Sequence, residues 1–138
     1  MPHIYLEAAN DMVALEIKYK FGYIQEALRQ ASANVLGYKY EDMVVLLPPA
    51  MLAVSPNADL LVIKPFASDN EKIHGKEEDW LNSLAITWYN LMNSQPEVFQ
   101  HLLNVCPIEK VSVWPQIAQG ARWGNVQQIV DQLALTNL

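Results

Sequence analysis

The chain opens on His3-Ile4-Tyr5-Leu6-Glu7-Ala8, in which Ile4, Leu6 and Ala8 alternate with His3, Tyr5 and Glu7. A period of two marks a strand with one buried face. Ile17, Phe21, Ile24, Leu28, Ala31 and Val35 then recur at steps of four and three, with Lys18, Gln25, Glu26, Arg29 and Gln30 on the other side. That spacing predicts one amphipathic helix, and Gly37 stands where a helix end favours a left-handed residue. Met43-Val44-Val45-Leu46-Leu47 is apolar throughout, as in a strand covered on both faces. Strand, helix and strand in this order predict a right-handed βαβ unit.

The second half repeats the scheme. Asp59 to Lys64 predicts a strand, and Glu77 to Asn93 carries Leu81, Leu84, Ala85, Trp88, Leu91 and Met92 at helical spacing. Ser94-Gln95-Pro96-Glu97 has the form of a capping box that starts a short extra helix through Leu103. Lys110 to Trp114 is the returning strand. Pro48-Pro49 and Ser55-Pro56-Asn57 bracket a short strand at Met51 to Val54, and a last helix is expected from Asn125 with Val126, Ile129, Val130 and Leu133. The expected fold is therefore α+β: two βαβ units forming a four-stranded sheet, both long helices on one face, and a short C-terminal helix. Nothing in the pattern separates the halves, so residues 1–138 are expected to form a single domain.

Composition narrows the function. The chain is 51% apolar and 17% charged, with nine basic and fifteen acidic residues and a net charge of −6. An acidic surface repels phosphate backbones, so nucleic acid is not an expected partner. The apolar share is large for a 138-residue chain and suggests contact with another subunit. No apolar run approaches the roughly 20 residues of a bilayer span, and one cysteine, Cys106, allows no internal disulfide. A soluble cytoplasmic protein is expected.

Most residues with chemical potential read as structural. His3, His74 and His101 lie in three different elements without ligand spacing, so no metal site is expected. Cys106 has no CxxC partner and precedes a proline, which suits a small buried hydrophobe. The five glycines never cluster into a phosphate-binding loop. Trp80, Trp88, Trp114 and Trp123 are placed to fill cores and interfaces.

Pro2 differs because it leads straight into the first strand. Once Met1 is removed, Pro2 carries a free secondary amine; while Met1 is attached, the same nitrogen is an amide and no base. Burial among apolar groups disfavours the protonated form of such an amine and yields a neutral base on a rigid strand. A base of this kind can take a proton from the carbon beside a carbonyl and return it elsewhere.

Pro2 at the start of strand one, followed by two βαβ units, resembles the tautomerase superfamily. Met1-Pro2-His3-Ile4 looks like the opening of 5-carboxymethyl-2-hydroxymuconate isomerases. The stretches from Gly37 to Val54 and from Val111 to Gly124 are similar to macrophage migration inhibitory factor relatives. The resemblance implies a homotrimer with pockets between subunits, and a cofactor-independent keto–enol isomerase with Pro2 as general base. A cation would hold the carboxylate of a small keto acid. The basic position after the first helix falls opposite Tyr38, with Lys39 one place along. The apolar pocket position matches Phe66, with Lys64 close by. On the last strand the polar aromatic and amide positions match Ser112 and Trp114, so the amide donor is lost, and Arg122 is another source of positive charge. The expected substrate-binding residues are thus Lys39, Lys64, Phe66 and Trp114. Two alternatives stay open: a non-catalytic trimer of the same fold that binds or builds, and an unrelated ferredoxin-like α+β dimer.

Overall fold

A computed structural model of the chain describes residues 2–50 and 59–118, together with Gln127, Val130 and Asp131. β1 (His3–Ala8) leads into α1 (Asp11–Tyr19) and α2 (Phe21–Leu36), and then into β2 (Val44–Leu46). β3 (Leu61–Ser68) leads into α3 (Glu77–Ser94), α4 (Pro96–Val105), β4 (Val111–Val113) and β5 (Gln116–Ala118). β1 pairs parallel with β2, β3 pairs parallel with β4 and β5, and β1 and β3 join the two halves antiparallel. The strand order is β2-β1-β3-β4, with β5 continuing alongside β3. The α+β fold of two βαβ units is therefore present, with β2 and β4 each entered through a 3₁₀ turn, Tyr40–Asp42 before β2 and Ile108–Lys110 before β4.

The alternation in β1 does what its period requires. Ile4, Leu6 and Ala8 are buried against the helices beside Leu61, Ile63 and Ala67 of β3. Val13 and Ile17 of α1, Ile24, Leu28 and Leu36 of α2, and Trp80, Leu84, Trp88 and Met92 of α3 close the other side of this core. α2 and α3 are joined inside it by one buried polar contact, Trp80 Nε1 donating to Ser32 Oγ at 2.9 Å. Asn10 caps α1 by accepting from the Val13 N–H at 3.0 Å. Gly37 ends α2 at φ 72°, the left-handed value that glycine adopts without a Cβ penalty.

Several expectations need correction. The first helix is two: at Lys20 the backbone leaves helical geometry and its N–H is shared between the carbonyls of Glu16 and Ile17. The apolar stripe runs through this kink without a missed step, so periodicity does not reveal it. β2 is an edge strand with one open face, and Leu46 is 39% exposed rather than covered on both sides. The Ser94 hydroxyl donates to the Leu91 carbonyl instead of capping α4, and Pro96 starts that helix at its first position, where no N–H is needed. The strand expected at Met51 to Val54 lies outside the described residues. So does the helix expected from Asn125, apart from Gln127, Val130 and Asp131, which are helical.

β3 runs to Ser68, four residues past the expected end, and it does so through Pro65. The Ala9 N–H bonds the Leu60 carbonyl across the β1–β3 ladder. Alternation along an antiparallel pair then directs the backbone groups of Leu61, Ile63 and Pro65 toward β4 and β5. The Trp114 N–H donating to the Ile63 carbonyl at 2.8 Å fits this assignment. β4 and β5 keep one register, Ile63 with Val113 and Phe66 with Gln116. The break at Trp114-Pro115 thus falls opposite Lys64-Pro65, where neither proline has an N–H to offer.

Candidate functional site

The strand residues of opposite parity stay uncovered by any described helix. His3, Tyr5 and Glu7 pair with Phe66, Lys64 and Val62 on this open face, and Val44 and Leu46 extend it along β2. Tyr5 is 36% and Trp114 59% exposed, and the His3 and Tyr5 rings stack with centroids 6.2 Å apart.

A cleft of about 350 Å³ opens on that face, lined by Tyr5, Glu7, Lys64, Pro65, Phe66 and Gln116. Register explains the grouping: Tyr5 is opposite Lys64, and Phe66 is opposite Gln116. The Lys64 ammonium lies 3.4 Å from the Glu7 carboxylate, both side chains partly open to water. The cleft offers one cation, one carboxylate, a phenol, an amide and an aromatic wall, a set that can seat a small carboxylate-bearing molecule if Lys64 exchanges its partner.

Pro2 is placed differently. It is buried, shares the parity of Ile4 and Leu6, and therefore turns its ring toward the helices. Its carbonyl accepts from the Val44 N–H at 3.3 Å. That bond ties Pro2 to the entrance of β2, where the 3₁₀ turn Tyr40–Asp42 delivers the chain into Met43 and Val44.

The structure thus brings Lys64 and Phe66 into one cleft, with Pro2 outside its lining. Lys39 is exposed at the entrance to the 3₁₀ turn. Trp114 stands on the open face, one step beyond Val113. The Ser112 hydroxyl is bonded to Asp59 at 2.6 Å, and Arg122 lies outside the described residues. Sequence reasoning missed Tyr5, Glu7 and Gln116. The polar side of β1 was visible in its alternation, but only the antiparallel pairing with β3 sets Glu7 beside Lys64.

Cys106 is buried, and desolvation, reinforced by the Asp59 carboxylate, pushes its thiol up to about 12. It is no nucleophile at neutral pH. Among the described residues no group of three metal-ligating side chains converges, and no helix is long and apolar enough to cross a membrane.

Paired βαβ units joined antiparallel through β1 and β3, with helices on one face and a proline leading β1, make up the fold of the tautomerase superfamily. In sequence the chain matches no family profile and no curated protein. In structure it is similar to the macrophage migration inhibitory factor of Toxoplasma gondii, with a TM-score of 0.53 and 11% identity over 91% of this chain and 95% of that one. It is also similar to Pt0534 inactivated by 2-oxo-3-pentynoate, with a TM-score of 0.54 and 12% identity over 91% and 93% of the two chains. A fused 4-OT asymmetric trimer matches with a TM-score of 0.50 and 18% identity over 96% and 97%. Identities this low establish a shared fold.

Proposed function

We propose that this protein is a cofactor-independent tautomerase or isomerase that moves a proton within a small enolisable keto acid. The observation that carries the proposal is the setting of Pro2: buried at the head of an inner strand, its carbonyl held by the Val44 N–H. With Met1 removed, an amine so placed favours its neutral form. It accepts the proton from the carbon beside the substrate carbonyl, leaving an enolate, and the ammonium so formed returns that proton to the other end of the conjugated system. Net charge and atoms are unchanged by the cycle.

Lys64 and Phe66 would bind the substrate in the open-face cleft, the ammonium releasing Glu7 to take the carboxylate and the ring excluding water from the pair. Lys39 and Trp114 would border the site. Because Pro2 and the cleft lie on different sides of one sheet, the site is assembled between copies of the chain. The apolar open face supports a homotrimer, and the fused 4-OT neighbour is an asymmetric trimer. That Pt0534 is inactivated by a 2-oxo acid agrees with a keto acid as substrate class. A reducing, cytoplasmic setting fits the single, buried cysteine.

The test is conversion of the enol of a small 2-oxo acid, followed by ultraviolet absorbance, with protein of verified mass lacking Met1. Pro2→Ala should lower the rate by about 10²-fold or more and leave the assembly mass unchanged. Retained activity would remove Pro2 from the mechanism. A second reading, a non-catalytic trimer that binds or builds, is favoured by one observation: Glu7 already neutralises Lys64. It predicts no conversion by the processed wild-type protein.

A further inference from the structure

The 3₁₀ turn that leads into the Val44–Pro2 contact is held from outside by the Arg29 side chain. Arg29 Nη1 donates to the Tyr40 hydroxyl at 3.3 Å and to Gln25 Oε1 at 3.0 Å, while Nη2 donates to the Tyr40 carbonyl at 3.2 Å. The guanidinium carbon lies 4.0 Å above the centre of the Tyr40 ring. Arg29 Nε is buried without a hydrogen-bond partner among the described residues, so the fork gives up a hydration site to reach Tyr40. The same Tyr40 carbonyl accepts from the Met43 N–H at 3.2 Å, and the next residue, Val44, donates to the carbonyl of Pro2. The contacts therefore form an unbroken line from α2 through Tyr40, Met43 and Val44 to Pro2.

We infer that Arg29 is a positioning residue: its fork and its stack on Tyr40 fix the 3₁₀ turn, and through the Val44 N–H they fix the orientation of the Pro2 amine. This rests on the reading of Pro2 as a base, and it adds a residue that touches no substrate. A lysine cannot replace it, because one ammonium cannot stack on the ring and reach both the carbonyl and the hydroxyl of Tyr40.

The experiment uses the full chain lacking Met1 and compares wild type with Arg29→Ala, Arg29→Lys and Gln25→Ala. Two quantities are read by NMR, amide exchange at Val44 and the titration midpoint of the Pro2 amine. Loss of a charge-assisted bond should speed Val44 exchange about tenfold in both Arg29 variants and move the midpoint by about half a unit, roughly threefold in the protonation equilibrium. Gln25→Ala, which loses only the contact within α2, should match wild type in both. Unchanged exchange at Val44, an unchanged midpoint despite faster exchange, or full recovery by lysine would each overturn the inference. Should Arg29→Ala not fold, Arg29→Lys decides alone. An inactive wild type would defeat the enzymatic reading but leave both NMR outcomes to judge the positioning line.

Discussion

Replacing Ser32 by alanine isolates the one fully buried side-chain hydrogen bond among the described residues. Ser32 and Trp80 are both fully buried, and the indole N–H has the Ser32 hydroxyl at 2.9 Å as its hydrogen-bond partner. Ser32→Ala leaves that N–H buried and unmet, which costs about 2 kcal/mol. Alanine recovers about 0.5 kcal/mol through its higher helix propensity in α2, so the net loss is about 1.5 kcal/mol. Unfolding entropies near 2.1 cal/mol/K per residue give roughly 0.29 kcal/mol/K for a chain of this size, hence a fall in Tm of about 5 °C. Calorimetry and urea unfolding should be run at one fixed protomer concentration, because self-association shifts apparent stability. Trp80→Phe removes the donor instead, and the double variant should show coupling of about 1 kcal/mol. A Ser32→Ala protein within 0.5 kcal/mol of wild type would refute the reasoning. The indole of Trp88 would then be the better guide, since its Nε1 is buried with no partner among the described residues.

Three further outcomes follow from the same structure. Cys106, its thiol pushed up to about 12, should resist an aromatic disulfide reagent at pH 8 until the protein unfolds, and rapid stoichiometric labelling of the native state would contradict its burial. His74, raised above its ordinary value mainly by the hydrogen bond to Asp69, should titrate by NMR above about 6.5. The pair's contribution is complete below the unfolded imidazole value and is lost as pH rises through the folded one, and Asp69→Asn should return the midpoint to the ordinary range. Trp114→Glu places a charge on the open sheet face and should lower the assembly mass in light scattering, whereas an unchanged mass would free that part of the face from the interface.

How far the sequence could be read is clearest in β3. The strand expected at Asp59 to Lys64 stops beside Pro65, and proline cannot serve a central ladder. The structure keeps the strand going because the missing N–H of Pro65 falls at Trp114-Pro115, where β4 gives way to β5. That coincidence joins residues 50 positions apart in register and lies beyond any local pattern. The kink at Lys20 was hidden for the opposite reason, since the apolar stripe is continuous across it. Arg29 read as one more charge on a solvated helix face. Only the return of the chain at Tyr40 turns it inward, so its role belongs to tertiary structure. Lys64 and Phe66 were paired only through the resemblance, since the expected strand stopped at Lys64; its continuation to Ser68 sets the two side chains two apart on one face.

The two 3₁₀ turns carry one more consequence. They mark corresponding places in the two halves, and the correspondence sets Val44 against Ser112 and the Pro2 position against Leu61. In the second half, however, the chain does not start there. It arrives from Asp59, and the Leu60 N–H closes onto the Lys110 carbonyl at 2.8 Å. The position matching Pro2 is thus occupied by through-running backbone, whose amide nitrogen cannot titrate. Under the proposed function, each polypeptide therefore supplies one candidate base for its two strand–helix–strand modules.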